Sequence, residues 1–412
     1  MLDIKFIRDN PELVQKKVEQ KGYKGSIAQL IKVDGKRRDL IEKIDKLRSK
    51  RKEVADKRDL SEGKKIKEDL KQKEIQLEEV NLEYGKSLNE LPNLPLDGVP
   101  VGDESQFEII KTVGKIPKID LPKDHLELGE ILDVIDVERA AKVSGSRFGY
   151  LKNEAAILEF ALVEYALATL TKEGFSPIIP PVLIKENITQ QLGYWQGKGQ
   201  GEYYRADDED ESGLYLIGTS EHSIVPMHKD EILENLPKRY VGFSSAFRRE
   251  AGSYGKDTRG ILRVHQFDKV EMIAFVKPED DEKERKKMLE LSEKLVASLG
   301  LPYQVKKLAS GDISFPAAET IDIEIWIPSQ NTYRETHSIS TTTDFQARRL
   351  NIKFNLGVKK EFVHILNGTA FAIGRTIIAI LENYQKKDGS VEIPKVLQKY
   401  TGFAKIKPKS TR

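Results

Sequence analysis

FRREAGSYGKDTRGILRVHQFDKVEMIAFV, residues 247–276, is the stretch that decides the fold. Residues 243–250 and 261–276 read as two strands of a hairpin joined by AGSYGKDTRG. Strand side chains alternate between faces. Leu262, Val264, Val270 and Met272 then point one way, interrupted by Gln266 and Asp268. Arg263, His265, Phe267, Lys269 and Glu271 point the other way, and Arg248 and Glu250 share a face on the partner strand. One face is mainly core. The other is a strip of cation, aromatic ring and anion about 27 Å long at ~3.3–3.4 Å per residue. Arginine offers a planar fork to phosphate oxygens, phenylalanine a flat surface to a purine, and glutamate an anion to an ammonium group. An exposed polar sheet face would carry any one of these residues. The whole string together fits an adenylate-forming site.

Outward from this hairpin, β-rich runs alternate with helical ones. FSPIIPPVLI, GLYLIGTS, YVGFSSAF, TIDIEIWI and FVHILNG read as strands, and residues 153–173, 279–299 and 371–386 read as helices. The pattern is α+β with a largely antiparallel sheet. Neither GxxxxGK[ST] nor GxGxxG is present, so any nucleotide binds by other means. RADDEDESG, 205–213, reads as a solvated loop.

The first hundred residues differ. Leu30, Val33, Arg37, Leu40, Ile44, Leu47, Arg51 and Val54 recur at alternating steps of three and four, which is a coiled-coil seam. A second seam runs through Ile66, Leu70, Leu77, Val80, Tyr84 and Leu88, and SEG at 61–63 is expected to break the two helices apart. The expected product is an antiparallel helical hairpin, an arm about 45 Å long at ~1.5 Å per residue. LPNLPLDGVPVG, 91–102, reads as a linker, dividing the chain into 1–102 and 103–412.

Net charge is only +2 over 412 residues, but residues 32–58 hold 12 Lys/Arg against 6 Asp/Glu. A basic arm on a near-neutral chain implies one polyanion-binding face. There are no cysteines, which excludes disulfides, thiolate metal sites and cysteine nucleophiles. No apolar run nears the ~18 residues of a membrane span, and the N-terminus lacks a signal-peptide core, so the expected location is cytoplasmic with no membrane association.

FRREAGSYGKDTRGILRVHQFDKVE resembles the second signature motif of class II aminoacyl-tRNA synthetases, in its seryl-tRNA synthetase form. Other segments agree. GFSPIIPPVLI, 174–184, resembles the first motif, which implies a homodimer interface. ILNGTAFAIGRTIIAILENYQ, 365–385, resembles the third motif, LIGTSEHS the amino-acid-binding segment, and TTTDFQARRLNI, 341–352, a further seryl-enzyme signature.

The resemblance implies ATP-dependent activation of L-serine to seryl-adenylate, then transfer to tRNA(Ser) and to tRNA(Sec). It implies that Arg248 holds the α-phosphate and the serine carboxylate, that Glu250 binds the adenine edge, and that Phe267 stacks on adenine. Arg263 and Val264 would lie nearby, Arg375 would clamp the γ-phosphate, and Arg249, Thr336 and His337 complete the implied ATP site. Glu335 and Ser338 would hold Mg²⁺. Thr219, Ser220, Glu221, Glu271, Asn367 and Thr369, with Arg248, would surround serine. Lys36, Arg38, Lys46, Lys50, Lys57 and Arg58 would present the basic face to tRNA.

Two departures stand out. His337 lies where the family has a small residue, and Ser220 replaces the commoner alanine. A lone histidine without a spaced partner is weak evidence for a metal site. Competing readings are a non-catalytic RNA-binding paralogue and an amino-acid activator that loads a carrier protein.

Overall fold

The computed structural model describes residues 1–56, 59–194, 201–206, 213–250 and 259–409. It divides into two units, Met1–Pro95 and Leu96–Arg412. The division falls before residue 102 because the second half of the expected linker pairs with the larger unit. The Leu96 N–H donates to the Ala318 carbonyl, and the Ser310 and Gly311 N–H groups donate to the carbonyls of Pro100 and Gly102.

In the first unit, helix α1 (Ile27–Asp56) and helix α2 (Leu60–Asn89) form the arm. SEG does not break it. Asp59 caps α2, its carboxylate accepting from the N–H groups of Ser61 and Glu62, so SEG becomes the first turn of the second helix. The seam buries Leu30, Val33, Ile44, Val54, Ile66, Leu70 and Leu88. Arg37 lies on the seam. It donates to Asn81 at 2.9 Å and lies 5.0 Å from the Tyr84 ring. Pairs from Arg48 to Glu74 and from Lys50 to Glu62 confirm that the helices run antiparallel.

The second unit is built on an eight-stranded sheet. Its strands in chain order are β1 (Glu108–Val113), β2 (Ser176–Ile178), β3 (Lys238–Phe247), β4 (Gln266–Val276), β5 (Tyr303–Lys307), β6 (Glu319–Ile327), β7 (Thr332–Thr341) and β8 (His364–Ala372). The spatial order is β1-β5-β6-β7-β8-β4-β3-β2, antiparallel throughout except β2 beside β3. Helices α3 (Asn153–Leu170), α4 (Asp281–Ser298) and α6 (Ile373–Tyr384) supply residues to the main core. Short helix α5 (Phe345–Leu350) packs in a second cluster.

Strand β4 shows how one sequence serves three environments. Val270, Met272, Ala274 and Val276 enter the main core, while Ile273 and Phe275 enter the second cluster. Between them, on the face of Ile273, stand Phe267, Lys269 and Glu271. The strand begins only at Gln266, so Arg263, Val264 and His265 belong to the preceding irregular segment. Two bonds tie the hairpin ends together. The Arg248 N–H donates to the His265 carbonyl, and His265 Nδ1 lies 3.0 Å from the Arg248 carbonyl.

Two bulges set the floor of the site. On β7, Glu335 pairs with Glu324 but His337 pairs with Ile323, so Thr336 is the extra residue. A bulge of one residue reverses the side-chain alternation beyond it. Glu335, Ser338 and Ser340 therefore share a face, and His337 and Ile339 go to the other. On β8, Ala370 plays the same part, with Thr369 opposite Glu271 and Phe371 opposite Val270.

Candidate active site

A cavity of about 480 Å³ opens over this floor. Its walls bring together Thr219, Glu221, Arg248, Glu250, Arg263, Val264, Phe267, Glu271, Glu335, Thr336, Ser338, Asn367, Thr369 and Arg375. These residues span more than 150 positions of sequence and come from β4, β7, β8, the start of α6 and the segments flanking β3.

One end of the cavity is cationic. The Arg248 guanidinium lies 5.3 Å from the centre of the Phe267 ring, and its Nε donates to the Gly218 carbonyl at 3.3 Å. The first turn of α6 carries Arg375, whose Nη1 donates to the Glu335 carbonyl at 2.8 Å and to its carboxylate at 3.1 Å. Partial loss of hydration opposes ionisation of the half-exposed Glu335, but Arg375, Arg248 and Lys269 outweigh it and hold the carboxyl below its ordinary range. Glu250 has a positive φ of 49° and meets Arg263 at 3.3 Å, while Arg147 donates to its carbonyl. Such a backbone conformation is costly for a residue with a side chain.

Another part of the wall holds two carboxylates. Glu271 pairs with the buried Lys269 at 2.6 Å and accepts from the Thr369 hydroxyl at 3.2 Å. Glu221 is buried, and its carboxyl accepts from Tyr194 at 2.9 and 3.0 Å and from Gln346 at 2.9 Å. Burial pushes Glu221 up to about 7, and the nearby Glu271 charge adds to that. The buried Nδ2 of Asn367 has no hydrogen-bond partner among the described residues. A buried donor left unmade is costly, so this group suits a polar ligand.

Three expected residues stand off the cavity wall. The β7 bulge carries His337 to the core face, where it is fully buried with its Nδ1 2.7 Å from the Thr336 hydroxyl and its ring 5.7 Å from that of Phe371. Burial lowers it to about 4, so it is neutral. Arg249 turns aside, its N–H donating to the Glu202 carbonyl and its guanidinium lying 6.0 Å from the Tyr204 ring. Ser220 is buried behind the wall, near Gly242. Sequence reasoning in turn missed Tyr194, Tyr203 and His222 as wall residues, and placed Lys269 on the strip without a role. Lys269 was legible from strand alternation alone.

The donors present fit a hard divalent cation. Glu335 and Ser338 offer oxygens on one face, and the buried Asp322, paired with Ser338 across the strands, has one carboxylate oxygen without a hydrogen-bond partner among the described residues. Mg²⁺ prefers oxygen ligands and keeps several waters, so few protein ligands suffice. Among the described residues no group of three or more His, Cys, Asp and Glu side chains forms a metal cage.

On the arm, Lys36, Arg38, Lys46 and Lys50 are exposed. Arg38 pairs with Asp34, Lys46 with Glu42 and Lys50 with Glu62. Lys57 and Arg58 lie outside the described residues. Among the described residues no helix is long and apolar enough to cross a membrane.

Comparison with known proteins decides the family. The model of the seryl-tRNA synthetase N-terminal domain matches residues 1–95, and that of the class II tRNA synthetase core domain (G, H, P, S and T) matches residues 204–384. Serine–tRNA ligase 1 of Streptomyces avermitilis is 43% identical over 98% of both chains. The chain belongs to the seryl-tRNA synthetase family. Membership makes it an enzyme, a serine–tRNA ligase of class II. Serine–tRNA ligase of Dictyoglomus turgidum is 42% identical, over 99% of this chain and all of that one. The crystal structure of seryl-tRNA synthetase from Pyrococcus horikoshii complexed with ATP superposes with a TM-score of 0.92 and 39% identity, each chain covered completely. A prolyl-tRNA synthetase of Giardia lamblia, at 14% identity and a TM-score of 0.58, shares the fold over 68% of this chain and 56% of its own.

Proposed function

We propose that the cavity binds ATP bent across the sheet with L-serine beside Glu221 and Glu271, and that the serine carboxylate attacks the α-phosphorus in line. Seryl-adenylate and pyrophosphate result, and a terminal ribose hydroxyl of tRNA then takes the seryl group. Both nucleophiles come from substrates. The chain's own task is to orient them and to neutralise developing charge.

The observation that carries this reading is the charge layout of one cavity, whose wall sets Arg248 beside Phe267 and Arg375 against Glu335, with Glu221, Glu271 and Thr369 on the same wall. Arg248 is placed to hold the α-phosphate and the serine carboxylate together. Phe267 offers its ring to adenine, with Glu250 at the purine edge and Arg263 and Val264 beside it. Arg375 reaches the γ-phosphate. Glu335 and Ser338 would hold Mg²⁺, which when bound supplies charge neutralisation to the phosphates. Thr219, Glu221, Glu271, Asn367 and Thr369 surround serine. A pocket built to bond a hydroxyl rejects the analogue lacking it by roughly 10⁴-fold or better.

The arm serves tRNA(Ser), and tRNA(Sec) with it, through phosphate and sugar contacts that weaken steeply with salt. The resemblance of residues 174–184 to the first motif supports a homodimer, and the absence of cysteines fits a reducing, cytoplasmic setting. Amino-acid-dependent ATP–pyrophosphate exchange tests the chemistry. Serine should support exchange, with alanine and threonine near background. Exchange that ignores serine would remove the assignment.

A further inference from the structure

Glu221 and Glu271 are the two deeply buried carboxylates of the cavity wall. Both oxygens of Glu221 are engaged. Tyr194 donates to one or the other at 2.9 and 3.0 Å, and Gln346 Nε2 donates to Oε1 at 2.9 Å. Gln346 does not touch the cavity. It lies fully buried on α5, more than 120 positions away in sequence, and its own orientation is fixed. Its Nε2 also lies 3.4 Å from the Leu192 carbonyl, and its Oε1 lies 3.2 Å from the Thr342 hydroxyl. The amide is thus set with its nitrogen toward Glu221. A side chain free to flip would present oxygen to a carboxylate half of the time.

We propose that Gln346 is a positioning residue for serine recognition, acting with the Tyr194 hydroxyl as a two-sided clamp that aims the Glu221 carboxylate at the amino acid. This rests on the reading of the Glu221–Glu271 part of the cavity as the serine pocket. The physical need is plain. A carboxylate moved out of water retains its charge only where hydrogen bonds replace the lost hydration. Burial is the larger effect here and pushes Glu221 up to about 7, with Glu271 on β4 adding to it. Gln346 and Tyr194 pull the other way, helped by Lys269. Tyr203 and His222 also face this corner, and burial keeps the histidine neutral, with Arg248 and Lys269 adding to that. Without the clamp, Glu221 takes up its proton at a higher pH and loses its hold on the substrate ammonium.

The test is serine-dependent ATP–pyrophosphate exchange by the full chain between about pH 6 and 9, for Gln346→Met and, separately, Tyr194→Phe. Loss of one hydrogen bond to a charged group should raise the serine KM by roughly tenfold or more at neutral pH. The ATP KM should stay within about twofold, since neither residue approaches the phosphate end. The deciding readout is the pH profile. In the wild type the serine KM should rise as pH falls through the Glu221 transition, and in each variant that inflection should move to higher pH. At the alkaline limit the gap between variant and wild type should narrow. General damage to the pocket would raise KM equally at every pH, and that result, or an unchanged serine KM, overturns the proposal. Should Gln346→Met fail to fold, Tyr194→Phe decides alone, because it removes one oxygen and leaves the ring. A wild type without serine-dependent exchange would overturn the pocket assignment itself, and this inference with it. A wild type that works beside unaffected variants overturns only the clamp.

Discussion

Removing the guanidinium of Arg248 separates binding of the reaction's charge from support of the fold. Its side chain makes modest contacts within the protein, a 3.3 Å bond to the Gly218 carbonyl and a 5.3 Å approach to the Phe267 ring. A hydrogen bond of that length and a partly exposed cation–π contact are together worth about 1–2 kcal/mol. In the reaction the same group would face a phosphate that gains charge inside the cavity. Loss of one such preorganised donor costs about 3–4 kcal/mol, or roughly 10²–10³-fold in rate. Arg248→Ala should therefore cut kcat/KM for serine-dependent ATP–pyrophosphate exchange by at least about a hundredfold, and lower the thermal midpoint by only about 5 °C or less. Arg248→Lys keeps the charge and loses the planar fork, so it should fall between. Circular dichroism melts run beside the exchange assay separate the two effects. Exchange within threefold of wild type (about 0.6 kcal/mol), or a loss that merely tracks unfolding, would refute the reasoning.

Phe267→Ala should raise the ATP KM by about 10–100-fold, the value of one base stacked on an aromatic ring, with the serine KM little changed in the same titrations. Glu221→Gln should abolish serine-dependent exchange yet stabilise the chain at alkaline pH. The folded carboxyl ionises near 7 instead of 4.5, so the wild type's stability is intact below about 4.5 and erodes as pH rises through 7. The glutamine cannot ionise, and its advantage should approach about 3 kcal/mol at pH 8 and vanish toward pH 4, read by chemical denaturation at both. Removal of Met1–Pro95 should leave adenylate formation intact and abolish charging of tRNA, because the larger unit has its own core. Loss of both activities would mean that the arm also supports the catalytic unit.

The arm was legible because a seam repeats locally. Its break was misplaced because SEG looks like a turn, whereas Asp59 two residues earlier supplies the cap that turns Ser61 and Glu62 into a helix start. Alternation along β4 placed Phe267, Lys269 and Glu271 on one face, but it could not show that Arg263 and His265 precede the strand. The β7 bulge was invisible in sequence. Plain alternation groups Glu335 with His337, and the extra Thr336 groups it with Ser338 instead. Tyr194 and Gln346 escaped for another reason. Their chemistry depends on meeting Glu221 across long stretches of chain, and no local spacing reports that.

A crystal structure of the chain with a non-hydrolysable seryl-adenylate analogue is the most direct measurement. The account predicts the purine against the Phe267 ring, the acyl-phosphate mimic within hydrogen-bond reach of Arg248, and the seryl ammonium and hydroxyl enclosed by Glu221, Glu271 and Thr369. An analogue bound elsewhere, or bound in this cavity with its purine away from Phe267 and its serine away from both carboxylates, would contradict it.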